Sequence, residues 1–157
     1  MMHVYIVADH RGFRLKKELL QYLALKKYIV EDLGNKTHDT QDDFPDFVSK
    51  LANTMQSDDD RGIVICGSGV GVCIAANRYP HIRCALGFDT KQIASARQDD
   101  AINTLALAAD FTSFDMAKQY VDIFLSTQFK NEEKYIRRIN KINEHAYGNC
   151  SSCTCHH

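Results

Sequence analysis

The sequence predicts a doubly wound α/β domain, a parallel sheet covered by helices on both faces. Three observations predict it. Short apolar, β-branched runs alternate along the chain with longer runs of helical periodicity. The strand-like runs are almost continuously apolar, as strands buried on both faces are. Neither an internal repeat nor a domain boundary interrupts the alternation, so residues 1–147 form one domain followed by a Cys/His-rich tail, 148–157.

Taken in order, "HVYIVA" (3–8) is the first strand. Over 11–27, Phe13, Leu15, Leu19, Leu20 and Leu23 recur at helical spacing against a lysine-rich face. "YIVEDL" (28–33) is a second strand, followed by a polar loop at 34–43. Pro45 suits a helix start that carries Phe47, Val48, Leu51 and Met55 on one face. "GIVIC" (62–66) is the third strand, with its helix over 70–78. "RCALGF" (83–88) and "TLALAA" (104–109) are strands that flank a helix at 89–100, N-capped by Asp89 or Thr90. Amphipathic helices over 114–126 and 131–146 complete the domain.

Composition narrows the function classes. The chain has 157 residues, 45% of them hydrophobic and 25% charged, with a net charge of −1. That balance provides no basic face for nucleic acid or for a membrane surface. No apolar run has the length of a membrane span, and "MMHVYIVADH" lacks the charged flank and cleavage site of a signal peptide. A cytoplasmic, reducing setting is therefore expected for the six cysteines. Cys66, Cys73 and Cys84 lie in apolar segments, where a thiol behaves as a small hydrophobe. Cys150, Cys153 and Cys155 belong to the tail "CSSCTCHH", read as a flexible terminus although it holds ligand types zinc prefers. The acidic stretches at 41–43 and 56–62 read as surface loops rather than cation sites.

In such folds ligands bind beyond the carboxyl ends of the strands. That rule selects Asp9 and His10, the segment Cys66–Gly71, Asp89, and the residues after 107 as neighbours in one crevice. Gly67, Gly69 and Gly71 allow close approach of a ligand, and a helix starting near Val70 would point its first N–H groups into the loop. The same helix start favours a thiolate at Cys66, while Ser68 adds a hydroxyl. The segment fits neither the P-loop nor the dinucleotide fingerprint, so no nucleotide is implied. On local pattern, Cys66 is equally a buried residue before a turn or a reactive group. Asp9 likewise reads as a turn cap or a ligand contact.

"ADHRGFRLKKEL", "FPDF" (44–47), "ICGSGVGVCIAANR" (65–78), "IRCAL" (82–86), "NTLALAA" (103–109) and "IRRINKI" (136–142) together resemble the ribose-5-phosphate isomerase B and galactose-6-phosphate isomerase family. The resemblance covers residues 3–145. It implies a three-layer, Rossmann-like α/β/α sandwich on a five-stranded parallel sheet. It also implies a homodimer or dimer of dimers, with active sites at the subunit interface, that isomerises a sugar phosphate without metal or organic cofactor. The expected reaction is ribose 5-phosphate to ribulose 5-phosphate, a step of the pentose phosphate pathway. By the same resemblance Cys66 moves the proton through a cis-enediolate, and the N–H groups of Gly67, Gly69 and Gly71 meet its charge. Ser68 stands near O1 and O2 of the sugar. Asp9, His10, Asn77 and Asn103 contact substrate, and Lys134 and Arg138 bind the phosphate.

The sequence departs from that family at informative positions. Asp99 stands at the position of a ring-opening histidine and so counts as a catalytic candidate: a carboxylate can accept the proton of the anomeric hydroxyl, but it is a poor donor to the ring oxygen at neutral pH unless its pKa is raised. Asp110 replaces a phosphate-binding arginine, a repulsive exchange. Lys134 and Tyr135 replace an Arg-His pair, and Phe44 a tyrosine. These changes leave room for a different or non-phosphorylated sugar, or for a catalytically impaired sugar-phosphate-binding homologue.

Overall fold

The computed structural model describes residues 2–147, and their side chains through residue 144. The Cys/His-rich tail lies outside the described residues. Elements run in the order β1 (His3–Ala8), α1 (Phe13–Leu25), β2 (Ile29–Asp32), α2 (Phe44–Thr54), β3 (Arg61–Cys66), α3 (Val70–Ala76), β4 (Cys84–Leu86), α4 (Thr90–Asp100), β5 (Thr104–Ala108), α5 (Phe114–Ser126) and α6 (Glu133–Tyr147). The five strands are all parallel, in the order β2-β1-β3-β5-β4.

The central strands β1, β3 and β5 are buried almost end to end, which explains their unbroken apolar text. Alternate side chains serve two core layers. Val4, Ile6, Ile63, Ile65, Leu105 and Leu107 meet α1, α4 and α5 on one face. Tyr5, Val7, Val64, Cys66 and Ala106 meet α2 and α3 on the other. The edge strands β2 and β4 are short, four and three residues, which limits their unpaired backbone. The expected strand 83–88 is thus trimmed to its centre, although Gly87 N–H still bonds Ala106 O.

The lysine-rich face of α1 needs one correction. Lys16 is fully enclosed, and its Nζ donates to Asp32 at 2.9 Å and to the Asn35 carbonyl at 2.6 Å. Three oxygens around one ammonium make burial tolerable. Among the described residues no helix is long and apolar enough to cross a membrane.

Candidate active site

The chain leaves β1 toward β2 on one side and leaves β3 toward β5 and β4 on the other, so the connections part at the β1/β3 boundary. Ligand crevices form at such switch points. Ala8 is in register with Ile65 and Asp9 N–H donates to the Ile65 carbonyl at 3.2 Å, which sets Asp9 beside Cys66 on strands about 5 Å apart.

Cys66 ends β3 at 5% exposure, on the α2/α3 side of the sheet. Its carbonyl accepts from Ala109 N–H at 2.9 Å, and that of Gly67 from Asp110 N–H at 3.0 Å. Those two bonds latch the loop to the continuation of β5. Gly69 then turns the chain with φ of 72°, and a Cβ there would lie 2.5 Å from Leu86 Cδ1 and 3.0 Å from the Leu107 carbonyl carbon. Only glycine meets both demands. Ser68 is exposed, its Oγ accepting from Val70 N–H at 3.3 Å, on the rim of a cavity of about 250 Å³ that includes Phe88 and Phe111. Gly71 lies directly under the Phe44 ring, 2.8 Å from where its Cβ would stand, which brings the start of α2 onto the start of α3.

Asp9 caps the turn into α1, its Oδ1 accepting from Gly12 N–H at 3.0 Å. Asp89 likewise caps α4 through the N–H groups of Lys91 and Gln92. His10 has a partner that local pattern does not reveal: Asp42 Oδ1 lies 2.7 Å from its Nδ1 and accepts its backbone N–H at 3.1 Å. Asp42 belongs to the stretch read as an acidic surface loop, yet its side chain is 6% exposed.

Arg11 follows His10 at this end of the sheet. Its guanidinium pairs with Asp110 and lies flat on Gly67, where a Cβ would be 2.3 Å from Arg11 Cζ. The expectation of a bare carboxylate facing a phosphate at position 110 is therefore corrected. Asp110 does stand at this end of the sheet, but with an arginine across it.

The remaining expected site residues lie at the opposite end of the same chain. α4 starts beyond the carboxyl end of β4 and runs back, so Asp99 in its last turn lies toward the amino ends of the strands. There Lys130 Nζ donates to it at 3.0 Å, and that bond holds the Asp99 carboxyl below the usual carboxylate range. A carboxylate so held is no proton donor at neutral pH. The Tyr135 ring gathers Lys130, Lys134 and Arg138 around it, at 5.4, 4.7 and 5.9 Å from its centre. Asn103 precedes β5 and ties Arg83 N–H to His81 O, both at 2.8 Å. Asn77 follows α3 and clamps β4: its Nδ2 donates to Cys84 O and its Oδ1 accepts from Cys84 N–H, each at 2.9 Å. Both asparagines border cavities at that end, of about 420 and 450 Å³. Within one chain, Asp99, Asn77, Asn103, Lys134 and Arg138 therefore stand at the end of the sheet opposite Cys66, because α3 and α4 run back from its carboxyl end.

A parallel α/β sandwich with a cysteine-glycine loop at its switch point is the class that fold and site define. The model of the Ribose/Galactose Isomerase family matches residues 4–142, and the chain belongs to that family. It is 41% identical over 142 residues to a probable ribose-5-phosphate isomerase B of Mycoplasma genitalium, covering 89% of this chain and 93% of that one. It is 32% identical over 145 residues to the ribose-5-phosphate isomerase B of Mycobacterium tuberculosis, covering 92% of this chain and 90% of that one. The crystal structure of the Mycoplasma genitalium ribose-5-phosphate isomerase B with bound ribulose-5-phosphate superposes with a TM-score of 0.90 at 39% identity, covering 94% and 98% of the two chains.

Proposed function

We propose that this chain interconverts ribose 5-phosphate and ribulose 5-phosphate at the crevice between β1 and β3. The observation that carries the reading is the placement of Cys66, a thiol at the end of a central strand, under a glycine loop latched to β5. As thiolate, Cys66 takes the proton from C2 of the open-chain aldose and returns it to C1, while the hydroxyl proton of O2 passes to O1. The cis-enediolate between those steps carries its charge on O1 and O2, opposite the backbone N–H groups of the Gly67–Gly71 loop and Ser68. Neither metal nor organic cofactor enters this proton transfer. The Arg11–Asp110 pair supplies a guanidinium with donors to spare beside Gly67, one source of positive charge for the phosphate.

In this reading the protein works as a homodimer or dimer of dimers, with active sites at the subunit interface. Asp9 and His10 act beside Cys66, whereas Lys134 and Arg138 of α6 serve the partner's crevice. A phosphorylated sugar places the enzyme in the cytoplasm, where Cys66 stays reduced.

Turnover of a panel of pentoses and hexoses, with and without phosphate, by wild type and Cys66→Ala tests the reading. Wild type is expected to favour ribose 5-phosphate, and the variant to lose at least about 100-fold in kcat, the contribution of a positioned base. A wild type active only on another sugar would move the substrate assignment. An equally active Cys66→Ala would remove the thiol from the mechanism.

A further inference from the structure

We propose that Cys73 and Cys84 form a redox-active thiol pair, a modification site that reacts with small linear disulfides and closes into a disulfide bond between α3 and β4. The site is separate from Cys66 and does not depend on which sugar the crevice takes.

The fold sets these two residues against each other, although they stand eleven positions apart in the chain. Cys84 and Leu86 of β4 turn to the α2/α3 side of the sheet, while Ala85 between them turns to the other side. Cys73 of α3 packs on the same core layer as Cys84, and its thiol donates to the Cys84 carbonyl at 3.6 Å. One amide then joins the two backbones. Asn77 Nδ2 donates to the Cys73 carbonyl at 3.1 Å and to the Cys84 carbonyl at 2.9 Å, and it lies 3.7 Å from the Cys73 sulfur. With both carbonyls on one nitrogen, the two side chains are held within the span that a disulfide requires. Both thiols are free and half-buried. Cys84 also lines the cavity of about 450 Å³ beside Asn77, which gives a small molecule its way in.

The two thiols are chemically unequal. The Cys84 thiol beside it brings the Cys73 thiol down to about 7 although burial opposes this, and the Leu86 backbone and the Asn77 amide add to the effect. Cys84 goes the other way, pushed well above its ordinary value by Cys73 and by burial. Cys73 is therefore the attacking thiolate and Cys84 the resolving thiol. In the first step Cys73 Sγ bonds to one sulfur of the incoming disulfide. The S–S bond breaks, and its electron pair leaves on the other sulfur, which takes the Cys84 proton. Cys84 Sγ then bonds to Cys73 Sγ and expels the second thiolate, which takes up the proton that Cys73 had lost. Two protein thiols are oxidised, and the incoming disulfide is reduced to two thiols. Closure pins α3, the helix that the glycine loop starts, to the edge of the sheet.

Oxidised glutathione is the probe. After treatment of the folded protein, acid quenching and alkylation, trypsin should release peptide 62–78 joined to peptide 84–91, with no glutathione on either. Peptide 62–78 also holds Cys66, so Cys66→Ala decides which thiol is joined, and it should keep the link. Cys84→Ser should retain glutathione on Cys73 as a stable mixed disulfide. Cys73→Ser should acquire glutathione on Cys84 at least about tenfold more slowly. A wild type that keeps glutathione on Cys73 without closing, or a link lost in Cys66→Ala, would overturn the proposal. So would the same link formed at equal yield in urea-unfolded protein, because the fold would then have no part in making it.

Discussion

Lys16 is the largest side chain that the fold encloses completely, and it is a cation. Burial pushes the Asp32 carboxyl up, but the Lys16 ammonium, the Gly34 N–H and Lys36 outweigh that and hold it below its ordinary value. Lys16→Met keeps the stem and leaves Asp32 without its main partner. Removing one member of a buried pair costs about 3–5 kcal/mol, and the partial exposure of Asp32 places the expected loss near the lower bound. Because the folded pKa of Asp32 is depressed, its contribution to stability is complete above the unfolded value of about 3.9 and disappears as pH falls through the folded one. Denaturant titrations between pH 3 and pH 7 should therefore show the variant's deficit at neutral pH shrinking in acid. A constant deficit would mean that lost packing, not the ion pair, is what the substitution removes.

At the scale of elements, α3 illustrates what the text of the chain could and could not disclose. The alternation of strands and helices was legible, because buried parallel strands need unbroken apolar runs and surface helices need a stripe. β1 and α5 begin and end where periodicity places them. The Cys66 loop was legible too, since a strand, three alternating glycines and a helix start are contiguous. Asp42 was not, because a carboxylate that binds a histidine 32 positions away looks like any acid in a polar loop. Nor was the clamp made by Asn77, whose partner Cys84 lies across a turn on β4. Long-range polar contacts leave no local period. Asn77→Ala removes the acceptor of the Cys84 N–H and leaves the Cys84 carbonyl with the Cys73 thiol alone, which at this exposed site should lower stability by about 0.5–1.5 kcal/mol. Its KM for the sugar phosphate should stay within about twofold of wild type, since both ends of the amide are engaged by Cys84. A raised KM at unchanged Tm would return Asn77 to the substrate.

The groups of the candidate site stand at two ends of one sheet. The carboxyl end holds Cys66, His10 and the Arg11–Asp110 pair, and the amino end holds Asp99, Lys130, Lys134 and Arg138 around Tyr135. A sugar phosphate spans only a few carbon–carbon bonds and cannot touch both ends of the same subunit. If Lys134 and Arg138 hold the phosphate, they do so for a second copy, whose Cys66 crevice must face α6 in a symmetric, self-complementary interface. Subunit mixing tests that arrangement. Cys66→Ala and Arg138→Ala homomers should each be nearly inactive. Unfolding and refolding the two together at equal amounts should place one intact site in each mixed dimer, half of all dimers, and so regain about one quarter of wild-type activity. A site built from one chain alone would regain nothing, because every crevice would then carry one defect or the other. If Arg138→Ala were fully active by itself, α6 would carry no phosphate contact, and the cation beside Gly67, Arg11, would remain to hold it.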